Sequence, residues 1–269
     1  MGCSKTLLRK EYSIMATMSE QQAQYSNWVS SKFIIVPAFL SILFGGLAFI
    51  IPALGFLGGF FFVCAIYFAY ARRQFSPKGG DIQTKVQNLL LQRMEDWDGK
   101  GKVLDIGCGN GPLSIRIAKR FPTSEIIGID TWGTAWEFSM AVCKRNATVE
   151  NVDDRVRFQH GSAASLPFDG ETFDMVVSNL VFHEVRNVRD KSKLIQEALR
   201  VIKPGGRFVF QDLFLWKLVY GDADDLLERI WSWGIESVTL LDTSSSDFIP
   251  KALKLPFMLG TVGILYGRK

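Results

Sequence analysis

The chain has 269 residues, room for one large α/β domain and something besides, and its 31 basic and 27 acidic side chains leave a formal net charge of +4. The basic residues are scattered rather than massed on one stripe, which argues against a nucleic-acid footprint. The four cysteines, at 3, 64, 108 and 143, show no Cys-x-x-Cys spacing and no histidine cluster, so neither a disulfide framework nor a metal site is expected, and a reducing compartment fits.

Residues 1–32 read as an N-terminal tail. Met1-Gly2-Cys3-Ser4-Lys5-Thr6 matches the myristoylation pattern, with Cys3 placed for a second acyl chain, while Met15 and Met18 offer alternative starts. Tyr25 to Ser31 reads as a short interfacial helix with Trp28 at the headgroup level. From Phe33 to Ala71 there is not one Asp, Glu, Lys or Arg. One helix crosses a bilayer core with about 20 residues, so this run is nearly twice a single span. Pro52 lies at its middle, with Gly45-Gly46, Gly55 and Gly58-Gly59 on either side. The pattern predicts a transmembrane helical hairpin over 33–71, with spans at 33–51 and 53–71 and a tight turn near Pro52. Lys32 before it and Arg72-Arg73 after it put both ends on the cytoplasmic side, so a multi-pass membrane protein with two spans is expected, its catalytic domain in the cytoplasm. A buried helical hairpin in a soluble protein is the competing reading, but it needs a larger core than the rest of the chain offers. Residues 72–80 read as a linker, the Gln74-Phe75-Ser76-Pro77-Lys78-Gly79-Gly80 stretch having the composition of one.

Residues 81–269 form the remaining domain. Asp81 is placed as an N-cap for a helix whose apolar positions are Ile82, Val86, Leu89, Leu90 and Met94. Strand patterns at 102–106, 125–130, 155–160, 173–178, 206–212, 235–241 and 260–267 alternate with helix patterns at 112–121, 133–145, 188–202 and 222–233. Such alternation predicts a largely parallel sheet covered on both faces. The first strand runs into Asp105-Ile106-Gly107-Cys108-Gly109-Asn110-Gly111, and the second ends on Asp130. Glycines at alternate positions let backbone press against a ligand, and free N–H groups at the next helix start suit an anion. The spacing Gly-x-Gly-x-Gly departs from the Gly-x-Gly-x-x-Gly of a dinucleotide fold, which argues against a nicotinamide-dependent oxidoreductase.

Asp-x-Gly-x-Gly-x-Gly after an apolar strand resembles motif I of the class I S-adenosylmethionine-dependent methyltransferases. The resemblance continues through Asp130, Gly161-Ser162-Ala163-Ala164-Ser165-Leu166-Pro167-Phe168, Phe173 to Asn179, and Leu199 to Arg207. Within that family it lies nearest to enzymes that methylate quinone precursors and other hydrophobic metabolites. It implies an α/β fold with a seven-stranded, mostly parallel Rossmann-like sheet whose last strand is antiparallel. It also implies S-adenosyl-L-methionine as cofactor. Carried over residue by residue, Gly107, Cys108, Gly109 and Gly111 form the loop along the methionine and ribose, with Asp105 organising it near the ammonium group. Asp130 clamps the ribose, Trp132 lies against the adenine, and Asn179 faces cofactor and acceptor. The family often has Asp where this chain has Ser162, so that hydroxyl or the Ala163 N–H takes the adenine contact.

Methyl transfer from a sulfonium needs chiefly alignment, and a general base where the acceptor carries a proton. His183, just past the fourth strand, is the catalytic candidate, with Glu184 beside it and His160 a less favoured second. Apolar stretches at Leu213 to Trp216, Leu218 to Tyr220, Phe248 to Pro250 and Leu255 to Met258 are core, a lid over a small, hydrophobic or lipid-like acceptor, or a surface resting on the bilayer. The fourth-strand end, Asn179-Leu180-Val181-Phe182, lacks the Pro-Pro-aromatic sequence of amino-methylating nucleic-acid enzymes. The alternatives kept are a non-catalytic cofactor-binding membrane scaffold and a protein methyltransferase.

Overall fold

The structure, a computed structural model, describes residues 22–133 and 137–269. The acylation pattern at Gly2 and Cys3, and the starts at Met15 and Met18, lie outside the described residues.

Two helices come first, α1 (Lys32–Leu47) and α2 (Leu54–Phe75), joined by a turn that holds Pro52. They lie antiparallel, with Phe33 stacked on Phe68 at 5.4 Å and Phe44 on Phe61 at 5.7 Å. A Cβ on Gly58 would stand 3.0 Å from the Gly45 nitrogen, so the helices touch backbone to backbone, and Ser41 Oγ donates to the Gly58 carbonyl at 2.9 Å. A helical hairpin is therefore present. Its helices differ in reach from the expected equal spans. The 22 residues of α2 extend about 33 Å, but the 16 of α1 only about 24 Å, short of a hydrocarbon core of about 30 Å. Among the described residues α2 alone is long and apolar enough to cross a membrane by itself.

The segment ahead of α1 is not the helix expected over Tyr25 to Ser31. Its backbone is spent on side-chain partners instead: Trp28 N donates to Gln83 Oε1 at 2.9 Å, Asn27 Nδ2 donates to the Arg72 carbonyl at 2.8 Å, and Arg72 donates to the Val29 carbonyl. Trp28 packs on Phe75 (5.7 Å) rather than standing at a headgroup level. Nor is 72–80 a linker. Helix α2 runs through it to the buried Phe75, and a Cβ on Gly79 would collide with the Arg73 carbonyl, so the chain turns sharply against the helix end.

Helix α3 (Ile82–Gln92) follows, its cap position held by Asp81 at φ +52° with no side-chain hydrogen bond, contrary to the expected N-cap. Then come β1 (Gly101–Ile106), α4 (Pro112–Arg120), β2 (Ser124–Asp130), α5 (Met140–Val149), β3 (Val156–His160), β4 (Phe173–Asn179), a 3₁₀ turn (Phe182–Glu184), α6 (Ser192–Arg200), β5 (Ile202–Asp212), α7 (Lys217–Tyr220), α8 (Ala223–Trp231), β6 (Ser237–Asp242), a second 3₁₀ turn (Lys251–Leu253) and β7 (Gly263–Arg268). Helix α5 starts seven residues later than expected at 133, because Ser139 caps it by accepting from Val142 N (3.2 Å) while donating its own N–H to Asn110 Oδ1 (2.9 Å). Strand β5 starts earlier than expected, at Ile202, which pairs with Phe173 before the register shifts ahead of Met175–Arg207.

The sheet order is β3-β2-β1-β4-β5-β7-β6, with β1 to β5 parallel and β7 antiparallel to both neighbours. The seven strands and the reversed last one are as expected. Leu104, Ile106, Val176, Phe208 and Phe210 pack with α6 and α8 on one face, and Val103, Ile126, Met175, Val177 and Val209 with α3, α4 and α5 on the other. A third apolar cluster joins Val29, Ala71, Phe75, Ile82 and Val86 to Leu213, Ile249, Leu253, Leu259 and Val262. It fastens the hairpin base to the α/β body.

Candidate active site

Strand order reverses between β1 and β4, and ligands in open parallel sheets gather beyond the carboxyl ends of the strands at such a point. One cavity of about 680 Å³ lies there. Asp105, Gly107, Cys108, Gly109, Asp130, Trp132, Ser162, Ala163, Asn179 and His183 all line it. Gly111 does not. It takes φ +80° just before α4, where a side chain would meet the Phe158 ring.

The N–H groups of Gly107 and Cys108 both donate to the Ile129 carbonyl (2.8 and 2.9 Å), tying the loop to the end of β2. A side chain at Gly107 would strike Val181, so that glycine serves packing within the protein. At Gly109 (φ +58°) a Cβ would meet nothing closer than Phe138 at 3.6 Å, so this glycine leaves open the approach a ligand needs. Asp130 Oδ2 accepts from Gly109 N (2.9 Å) and Oδ1 from Trp132 N (2.8 Å). Each carboxylate oxygen retains a lone pair for a further donor, as a ribose diol requires. The Trp132 indole donates to the Gly109 carbonyl (2.8 Å), which fixes the ring beside the loop. Ser162 Oγ accepts from Ala164 N at 3.2 Å.

Asp105 is buried and takes a 2.5 Å hydrogen bond from Ser114 Oγ. Burial pushes its carboxyl up to about 7, against the lowering effect of Ser114. The Cys108 thiol is buried beside Cys143 and raised well above its ordinary value, first by burial, so it stays protonated and is no nucleophile. Asn179 Oδ1 is buried without a hydrogen-bond partner, and buried acceptors in folded proteins are nearly always paired. That orphaned acceptor, the open side of Gly109 and the Asp130 carboxylate fit an amino-acid nucleoside such as S-adenosylmethionine, which would bring donors to the two acceptors and lie close against the glycine.

His183 stands in the 3₁₀ turn after β4. Its Nδ1 lies 2.7 Å from Oδ1 of the fully buried Asp212, and its Nε2 3.4 Å from Glu184 Oε1. Asp212 Oδ2 also accepts from Val181 N (3.1 Å) and Phe182 N (2.8 Å), so this carboxylate holds the turn as well as the ring. Burial alone would lower the imidazole, but the Asp212 charge outweighs it and the ring rises to about 10. Asp212 is held below the usual carboxylate range by the His183 charge and backbone donors, against burial. A ring that is already cationic at neutral pH donates rather than accepts a proton. His160, exposed at the end of β3, does not line the cavity. Asp212 was not singled out in the sequence, although an apolar strand closing on a carboxylate is the signature that marks Asp130. Tyr25 and Trp28, from the segment ahead of α1, also line the cavity, and no local pattern announced them.

A family model described as a methyltransferase domain matches residues 98–233. Demethylmenaquinone methyltransferase of Lactiplantibacillus plantarum is 34% identical over 144 residues, 52% of this chain and 54% of that protein. The ubiquinone/menaquinone biosynthesis C-methyltransferase UbiE of Geotalea daltonii is 34% identical over 110 residues, 40% of this chain and 44% of its own. The chain thus spans about half the length of these curated relatives. Among solved structures, geranyl diphosphate C-methyltransferase from Streptomyces coelicolor A3(2) shares the fold at 17% identity and a TM-score of 0.52, over 70% of this chain and 79% of that one. With half of its length matched by the family model and the glycine loop inside that match, the chain belongs to the S-adenosyl-L-methionine-dependent methyltransferases.

Proposed function

We propose that this methyltransferase is anchored by its helical hairpin to the cytoplasmic face of a membrane and methylates a small, hydrophobic or lipid-like acceptor. The observation that carries the reading is one continuous cavity, which runs from Gly109 and Asp130 to the aromatic base of the hairpin. The hairpin surface supports anchoring: Ile42 along α1 and Phe49, Ile50 and Phe56 around the turn are 77, 94, 79 and 87% exposed, an apolar surface suited to lipid. Lys32, Arg72 and Arg73 stand together at the other end, as basic flanks on the cytoplasmic side do. The names of the relatives, enzymes of quinone biosynthesis, favour a hydrophobic ring as acceptor.

The bound donor supplies an electrophilic methyl group. Asp130 and the Gly109 backbone would hold the donor, with Asp105 and Trp132 on the same cavity wall for its ammonium group and its adenine. His183, kept protonated by Asp212, would hold by a hydrogen bond an acceptor oxygen that has already given its proton to solvent; the lone pair of that anion, on oxygen or on the neighbouring carbon, takes the methyl group as the sulfonium becomes a neutral thioether. Asn179 takes a donor from either molecule.

The test is to incubate the purified protein with methyl-tritiated S-adenosylmethionine and a membrane-lipid extract and to identify the labelled product. Label in one lipid fraction, lost in Gly109→Val, is the expected result. Label in protein alone would favour a protein methyltransferase. Donor binding without any transfer would leave a scaffold.

A further inference from the structure

The wall of the cavity changes character along its length. Its donor end is polar. Its other end is made by Trp28, Phe33, Phe68, Phe75, Phe257 and Met258, and all six lie outside the residues matched by the methyltransferase family. Phe33 opens α1 and Phe68 lies near the end of α2, so this apolar arm meets the hairpin where it leaves the body. Tyr67 Oη donates to the Ala252 carbonyl (3.1 Å), fixing the hairpin base to the second 3₁₀ turn on one side of the arm. On the open side Phe257 is 50% and Phe33 45% exposed. Lys32 starts α1 and Arg72 and Arg73 lie in the last turn of α2, so basic side chains mark the same end of the hairpin, as they do at a membrane interface.

We propose that this arm is a chain-binding groove, through which an amphiphilic acceptor enters from the bilayer: its hydrocarbon chain lies between the hairpin base and residues 254–260 while its polar head reaches Asn179 and His183. The proposal rests on the methyl-transfer reading for the head and adds the site that holds the tail. Moving a chain from lipid into an apolar arm gains little by itself. What the arm supplies is a dry path, since each methylene left in water would weaken the complex by about fourfold. The head can then rise to the reacting centre without drawing its tail through solvent, and acceptors are selected by chain as well as by head.

The full chain in phosphatidylcholine nanodiscs tests this with a hydroquinone that carries a twelve-carbon chain and a diazirine at the chain's middle. Irradiation should attach the probe at Trp28, Phe75 and Met258, and excess dodecylhydroquinone, but not chainless hydroquinone, should compete. Met258→Trp, which fills the arm, should cut these adducts at least tenfold while S-adenosylhomocysteine affinity by calorimetry stays within twofold, which also reports an intact fold. Adducts confined to the outer face at Phe39 and Phe56, or undiminished in Met258→Trp, would overturn the groove. Adducts in the arm of a protein with no S-adenosylhomocysteine affinity would instead overturn the methyl-transfer reading and leave a lipid-chain site.

Discussion

A buried imidazole on its own sheds its proton, and His183 keeps one because Asp212 sits 2.7 Å away with no access to water. The folded value of about 10 stands above the ordinary 6.5, so the pair's contribution to stability is whole below about pH 6.5 and is lost as pH rises through about 10. Urea midpoints should decline across that interval, and His183→Gln should flatten the decline; an equal slope in the variant would assign it to other groups. Asp212→Ala should cost about 3–5 kcal/mol, the scale of breaking a buried ion pair, since it also strips Phe182 N and Leu213 N of their acceptor. Asp105 has the opposite sense. Burial raises it from 3.8 to about 7, so folding grows less favourable as pH climbs through that window and the carboxylate ionises unpaired. A cationic ammonium beside it favours the ionised form, so S-adenosylmethionine should bind with release of a proton and more weakly as pH falls below about 7. Calorimetry at pH 6.5 in buffers of different ionisation heat counts that proton, and a count of zero would remove Asp105 from the ammonium's neighbourhood. Asp130 was legible in the sequence because a glycine loop, an apolar strand and a closing carboxylate fall within one local window. Asp212 closes its strand in the same way, but its use depends on a turn after β4 that carries His183 across to β5, a contact between distant residues that no local pattern encodes.

At the scale of elements, strands and helices came out of the alternation nearly intact, and the misreadings cluster where backbone is held by side chains of another element. Residues 22–31 are the main case. Asn110, buried inside the glycine loop, donates to Ser26 Oγ (2.8 Å) and accepts from Ser139 N, while Asn146 donates to the carbonyls of both Asn110 and Gln24 (3.0 and 2.9 Å). One asparagine thus ties the N-terminal segment, the loop and the start of α5 together, which is why Tyr25 to Ser31 is irregular rather than helical and α5 begins late. Asn110→Ala should lower global stability by about 1–3 kcal/mol through unpaired buried groups. Amide exchange should also quicken selectively over residues 22–31; exchange confined to α5 would show that the segment is held by Trp28 and Gln83 instead.

For the whole molecule, the uncharged run from Phe33 to Ala71 announced a hairpin, but not how firmly its base is set. The residues that grip it, Ile249, Leu253, Leu259 and Val262, come from the other end of the chain and bring Phe75 and Ala71 into a shared core. Hairpin base and body therefore share one apolar core. With both hairpin ends on one side, cysteines introduced at the exposed Gln22 and Lys78 should react with an impermeant maleimide from the same face of sealed vesicles. Labelling from opposite faces would mean that the chain crosses once, and full recovery in the soluble fraction without detergent would remove the membrane from the account.

The reversed strand also sets an order of events during synthesis. Strand β7 lies between β5 and β6, and among the described residues β6 pairs with no other strand, so the sheet cannot close until Gly263 to Arg268 have emerged. The hairpin leaves the ribosome long before that, since domains complete themselves only as their last elements appear. On the anchored reading the unfinished body assembles while already tethered to the bilayer. Until β7 arrives, the edge of β5 is unpaired and open to edge-to-edge pairing, a hazard that ends when Gly263 to Arg268 fill it.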